Sequence, residues 1–214
     1  MSDSQKAHVL TVTGGGFSLE GGPEHLGFFG ADVYPALKDA GKSVSFLFLE
    51  YTLVPHGTYP IQFREAVEAV EYVTKDLGRS ASRVILGGDS AGGNLCLAVL
   101  SHLNHPSPDV PTLKLDTKLK ALILVAPWVG FEPKWPSSEK NKYKDIVTSE
   151  TGGQWSRDYL GEKSSSPYAE AVTAEPSWWK SPQVEHIICV AGADELLVDP
   201  VSEWVDTYKV SWLP

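Results

Sequence analysis

The feature that most restricts this chain is the run Arg83-Val-Ile-Leu-Gly-Gly-Asp-Ser-Ala-Gly-Gly-Asn-Leu95. Residues 83–87 predict a short buried strand. Ala91 to Leu103 predicts a helix that is apolar nearly all round (Leu95, Leu97, Ala98, Val99, Leu100), hence one buried against a sheet. Between them Gly88, Ser90 and Gly92 read G-x-S-x-G. A serine on such a turn has a strained backbone, its neighbours must be small because they pack closely, and the helix behind it points amides at a developing negative charge. The pattern alone is weak, since glycine-rich serine turns are common, but the strand before it and the helix after it make a nucleophile site. Ser90 is the candidate nucleophile, Ala91 a candidate amide donor, and Asp89 and Asn94 supports of the turn.

The flanking residues supply a matching scaffold. His8 to Thr13 reads as a strand running into Gly14-Gly15-Gly16, and Ser43 to Tyr51 as a second strand. Ala31 to Gly41 has helical spacing (Val33, Leu37, Ala40) with Pro35 in its first turn. Ile61 to Leu77 is an amphipathic helix ending at Gly78, through Ala66, Val67, Val70 and Val73. Leu119 to Ala126 is a near-continuous apolar run of the kind found in parallel strands covered on both faces, and His186 to Ala191 repeats it. Strands alternating with helices predict an α/β fold, a mostly parallel sheet with active residues at the carboxyl ends of the strands. The exception is 128–182, where Pro, Ser, Lys and Trp concentrate and periodicity is weak. It is expected outside the sheet, as a cap-like insertion over the carboxyl edge of a single domain spanning 1–214.

Composition narrows the partners. The 214 residues are 42% hydrophobic and 21% charged, which fits a globular chain, and the net charge of −9 disfavours phosphate backbones, so no nucleic-acid partner is expected. No apolar window is long enough for a membrane span, and the reading is of a soluble, cytoplasmic protein. Cys96 and Cys189 sit in apolar runs and read as buried, inert thiols, with no disulfide framework and no metal site. Of the 7 tryptophans, Trp128, Trp135, Trp155, Trp178 and Trp179 fall in or beside the irregular segment.

Gly14-Gly15-Gly16-Phe17, following the first strand, suits a second set of oxyanion donors, because glycines let backbone amides approach a carbonyl oxygen. A phosphate loop is the alternative, but neither the P-loop ending nor the spaced glycines of a dinucleotide site are present. A serine nucleophile also needs a base, and the base an orienting acid. His186-Ile-Ile-Cys-Val-Ala-Gly-Ala-Asp194 delivers a carboxylate at the carboxyl end of a strand, making Asp194 the candidate acid and Asp199 a helix-start or surface residue.

In these stretches the chain resembles the hormone-sensitive-lipase-like family of α/β-hydrolase carboxylesterases. The likeness is carried by GGGF at 14–17, Tyr51-Thr-Leu-Val-Pro55 with Tyr59-Pro60, GDSAGGNL at 88–95, Ala126-Pro127-Trp128, Ser166-Pro167-Tyr168, and Gly192-Ala-Asp194 with Asp199. It implies Ser90 as nucleophile, Asp194 as acid, Gly14, Gly15 and Ala91 as oxyanion donors, and no cofactor. Three departures stand out. Thr13 replaces the family's histidine before the glycines, and Thr52 and His56 replace an Arg and a Glu. The family's catalytic histidine follows the acid after another helix and strand, whereas only Glu195 to Pro214 remain here and include no histidine.

No other histidine is a convincing substitute. His186 should face the amino end of the sheet, His25 and His56 lie on loops, His102 and His105 close the helix after the elbow where a cation suits the dipole, and His8 begins a strand. The amino end is also short, so the expected molecule is an incomplete α/β-hydrolase lacking the first strands, the last strand and the catalytic-histidine loop. Open sheet edges and an apolar face would favour a homo-oligomer. The implied activity is hydrolysis of a small or mid-sized acyl ester through an acyl-serine, with the Trp-rich segment lining or lidding the acyl pocket and the reaction impaired for want of a base. The alternatives are an inactive ligand-binding protein taking an apolar ligand, or a non-hydrolytic biosynthetic protein, on the same scaffold.

Overall fold

The computed structural model describes residues 6–23 and 27–211. Its strands β1 (Ala7–Val12), β2 (Val44–Leu49), β3 (Val84–Asp89), β4 (Leu119–Val125) and β5 (Val184–Val190) form one sheet in the order β2-β1-β3-β4-β5, parallel throughout. The chain runs outward from β1 to β2, returns across β1 to β3, and then continues through β4 to β5. The order therefore reverses between β1 and β3, and in such sheets the crevice opens at the carboxyl ends of the strands beside that reversal. Thr13 and Gly14 leave β1 there, and Ser90 leaves β3.

A π-helical turn (Phe28–Val33) leads into α1 (Tyr34–Asp39), followed by α2 (Ile61–Glu71), α3 (Ser90–Asn104), α4 (Pro136–Lys140), α5 (Ser149–Leu160) and α6 (Val198–Val210). α3 fills one face of the sheet over β1, β3 and β4, with Leu95, Val99 and Leu100 fully buried. α2 packs beside it through Phe63, Val67 and Val70, and these join Leu10, Val12, Leu86, Leu122 and Leu124 in the core. Segment 128–182 contributes no strand and runs between β4 and β5 as α4, α5 and two 3₁₀ turns. Helix α5 escapes the sequence reading because Gly152 and Gly153 dilute its periodicity, yet Thr148 caps it, its hydroxyl accepting the Thr151 amide at 3.1 Å.

Two expectations require correction. β4 and β5 are not covered on both faces: Leu122 and Leu124 are buried, but Val125 is 44% exposed, as are Ile188 and Val190 opposite Ile123 and Val125 at 54% and 51%. An apolar run tells which residues tolerate burial, while coverage depends on helices placed by distant parts of the chain. For the same reason α1, beside the edge strand β2, buries no residue fully; Leu37 is only half-buried. Cys189, on exposed β5, is half-buried rather than buried, and burial pushes its thiol up to about 11, whereas Cys96 is wholly buried; neither is in a disulfide. No helix among the described residues is long and apolar enough to cross a membrane.

Candidate active site

Ser90 adopts φ 48°, the left-handed region that costs a non-glycine residue strain and that keeps its side chain at the top of the turn. The glycines around it are sterically required. A Cβ on Gly92 would lie 2.0 Å from the Val12 carbonyl oxygen, and one on Gly88 would lie 2.5 Å from the Gly92 carbonyl carbon. The Ser90 carbonyl accepts the Trp128 amide at 2.9 Å, and the buried Asn94 amide donates to the carbonyls of Trp128 (2.7 Å) and Ala169 (2.6 Å). The elbow is thus fastened to the start of the β4–β5 connection.

The glycine loop is fastened to the elbow in turn. Gly14 N–H donates to Asp89 Oδ1 at 3.0 Å, and Tyr51 Oη donates to the Thr13 carbonyl at 3.0 Å and the Gly14 carbonyl at 3.3 Å. Burial, helped by the Asp89 charge, raises the Tyr51 phenol well above its ordinary range and keeps it a donor. Gly16 turns the loop at φ 58°, where a Cβ would meet the Trp155 ring at 2.2 Å, and the buried Phe17 ring stacks on Tyr159 at 3.6 Å. Asp89 and Asn94 therefore act as supports. With the Gly14 amide engaged by Asp89, the loop's next amides belong to Gly15 and to Gly16, the latter part of the glycine loop on sequence grounds but not named there as a donor.

Ser90 and Asp194 line the same open cleft of about 680 Å³, which lies over the ends of β3, β4 and β5. Its walls include Trp128, Phe131, Trp135, Trp155, Ile146 and Leu197, and Lys144 lines it too. Trp178 and Trp179 do other work: Trp178 stacks on His105 at 4.0 Å, and buried Trp179 packs edge-on against Trp204. Asp194 is exposed, and its carboxylate accepts Lys144 Nζ at 2.6 Å. That ion pair, with a further contribution from Lys140, holds its carboxyl below the usual carboxylate range.

The Asp194 loop is held from the segment around α4. Asn141 donates to the carbonyls of Ala193 (3.2 Å) and Glu195 (2.8 Å), Asp145 accepts the Leu196 amide (2.6 Å), and Ser137 Oγ donates to the Leu196 carbonyl (2.7 Å). Asp199, in the first turn of α6, accepts the Ser137 amide at 2.7 Å. Lys144, Ser137, Asn141 and Asp145 lie in the weakly periodic run 128–182, which the sequence places over the carboxyl edge of the sheet without singling out these residues.

None of the described histidines lines the cleft. His25 lies outside the described residues. His56 is exposed, and His186, near the amino end of β5, is 3.9 Å from the Glu185 carboxylate. His8 Nδ1 is 2.8 Å from Ser45 Oγ, and His105 Nε2 is 2.9 Å from the Trp178 carbonyl. His102 corrects the expectation of a cation at the helix end: it is buried, its Nδ1 accepts the Ser107 amide at 3.0 Å, and burial lowers its pKa.

Residues 9–205 match a family model described as alpha/beta hydrolase fold. Among curated proteins, Probable carboxylesterase 6 of Arabidopsis thaliana is 27% identical over 74% of this chain and 48% of its own length, and arylacetamide deacetylase of Mus musculus is 30% identical over 65% and 34%. A crystal structure of an esterase from the bacterial hormone-sensitive lipase family superposes with TM-score 0.76 at 26% identity, covering 98% of this chain and 64% of the other. The chain thus spans half or less of the length of these curated relatives. A five-stranded parallel sheet, a serine elbow at its switch point and a family match over most of the sequence establish that the chain belongs to the α/β-hydrolase family, as a member resembling the hormone-sensitive-lipase esterases.

Proposed function

We propose that this chain carries the nucleophile and acyl-binding parts of a serine ester hydrolase for small or mid-sized acyl esters. The observation that carries the reading is that the strained Ser90 and Asp194 line one largely apolar cleft, with the glycine loop tied to the serine elbow through Asp89. In this reading Ser90 Oγ attacks the ester carbon, and the carbonyl oxygen takes its developing charge to the amides of Ala91 and of the loop at Gly15 and Gly16. Gly14, a candidate donor on sequence grounds, instead anchors the loop. Each well-placed donor of this kind contributes about 10²–10³ in rate. Trp128, Trp135 and Trp155 shape the acyl side of the cleft.

A second reading, a protein that holds an apolar ligand without turning it over, is favoured by one observation: the Asp194 carboxylate is already paired with Lys144. A fluorophosphonate probe separates the two. Because no described histidine lines the cleft, imidazole is supplied as the base, and the hydrolase reading then expects covalent labelling at Ser90 that Ser90→Ala abolishes, together with p-nitrophenyl butyrate turnover that the same variant loses. Absence of labelling alongside saturable binding of an apolar ester analogue would favour the ligand-holding protein.

A further inference from the structure

The residue on Asp194 is an amine. In this site the carboxylate should receive the N–H of an imidazole whose other nitrogen takes the Ser90 proton. Lys144 instead donates to Asp194 Oδ1 at 2.6 Å, and both residues line the cleft with Ser90. An ammonium has three donors and no lone pair, so Lys144 in this pair cannot accept the serine proton. We propose that Lys144 is a guard on Asp194, competing with an imidazole for the carboxylate, so that the acid orients a base less readily while the amine is bound. The inference rests on the ester-hydrolase reading and makes Lys144 a positioning residue that works through Asp194.

The surroundings suit such an exchange. Ser90 follows β3 and Asp194 follows β5, with β4 between them, so the two strand tracks are about 9.5 Å apart, a gap for a bridging ring rather than for direct contact. The cleft of about 680 Å³ has room for that ring beside an acyl group. The side chains of Lys144 and Asp194 are 46% and 70% exposed, and pairs so wet are weak, so displacing the amine lowers base occupancy only about two- to five-fold. The acid stays in place meanwhile, because Asn141, Asp145 and Ser137 hold residues 193–196 by backbone bonds that do not involve Lys144. Of the other charges nearby, Glu195 accepts the Gly192 amide and Asp145 the Leu196 amide, while Lys140 remains as a more distant cation.

With imidazole bound, the proton on Ser90 Oγ passes to the ring as Oγ bonds the acyl carbon, and then to the departing alkoxide or phenolate. Water deprotonated by the same ring attacks acyl-Ser90, the carboxylic acid leaves, and the proton returns to Oγ.

The test measures p-nitrophenyl butyrate hydrolysis against imidazole concentration. At each concentration the rate with Ser90→Ala is subtracted, which removes the reaction of free imidazole with the ester. The Ser90-dependent rate should rise to a plateau. Lys144→Gln should reach half-plateau at about two- to five-fold lower imidazole with the plateau height unchanged, Lys144→Arg should keep at least the wild-type midpoint, and Asp194→Asn should lose saturation. An unchanged midpoint in Lys144→Gln, or a plateau that survives in Asp194→Asn, overturns the guard and leaves the hydrolase reading standing. A wild-type rate that Ser90→Ala matches at every imidazole concentration overturns both.

Discussion

His102 shows how one buried side chain writes a pH dependence into this fold. Its Nδ1 accepts the Ser107 amide, so Nε2 carries the proton and faces the Pro111 carbonyl at 2.9 Å, and the neutral ring ties α3 to the loop that follows it. A proton on Nδ1 would set donor against donor. The folded pKa therefore lies below the ordinary 6.5, because burial opposes the charge more than the Pro111 carbonyl favours it. The folded state then binds fewer protons than the unfolded chain, so this contribution to stability is complete above about pH 6.5 and is lost as the pH falls below it. Thermal unfolding followed from about pH 7.5 to pH 5 should show a steeper loss for the wild type than for His102→Gln, whose amide does not titrate over that range. The sequence places His102 at the end of a helix but not inside the protein, since its ring is enclosed only by the folding back of residues 107–113 and by Phe63, whose ring stands edge-on at 5.6 Å.

Among elements, the short helix α4 and the loop after β5 form a unit that no local pattern announces. Asn141, directly after α4, is buried, and its amide group joins two carbonyls of the Asp194 loop. Replacing it with alanine leaves those carbonyls without their donor, at a cost of about 1–3 kcal/mol. Urea unfolding of Asn141→Ala should show that loss, and the Asp194 loop should exchange its amide hydrogens faster than β3 does. A stability within experimental error of the wild type would show that Asp145, Ser137 and α6 hold the loop without Asn141. By contrast β1, β3, α2 and α3 are legible from periodicity, because each buries an apolar stripe or run whose spacing survives in the sequence, and β2 is legible from its apolar run although only Val44 in it is fully buried. The elements of 128–182 are not, since their burial comes from isolated contacts such as Glu170 accepting the Phe131 amide at 2.6 Å.

At the scale of the whole molecule, the open side of the sheet at β4 and β5 has the largest solution consequence. Val125, Ile188 and Val190 sit in register on a parallel sheet whose last described strand is β5. An apolar face beside an edge strand favours association, which the net charge of −9 opposes only partly. Light scattering should show concentration-dependent self-association at low micromolar protein, and Ile188→Lys should shift it toward monomer without lowering stability by more than about 0.5 kcal/mol, since the side chain is already more than half in water.

The sequence by itself determined the parallel α/β scaffold, the strand–Ser90–helix elbow and the glycine loop. Each is encoded by residues adjacent along the chain, in a periodicity or a turn with a single steric solution. Only the tertiary structure decided that Asp89 takes the Gly14 amide, that Lys144 sits on Asp194, and that one face of β4 and β5 stays open. Those outcomes depend on which groups meet across the fold, and a side chain's neighbours in space are set by packing rather than by its place in the chain.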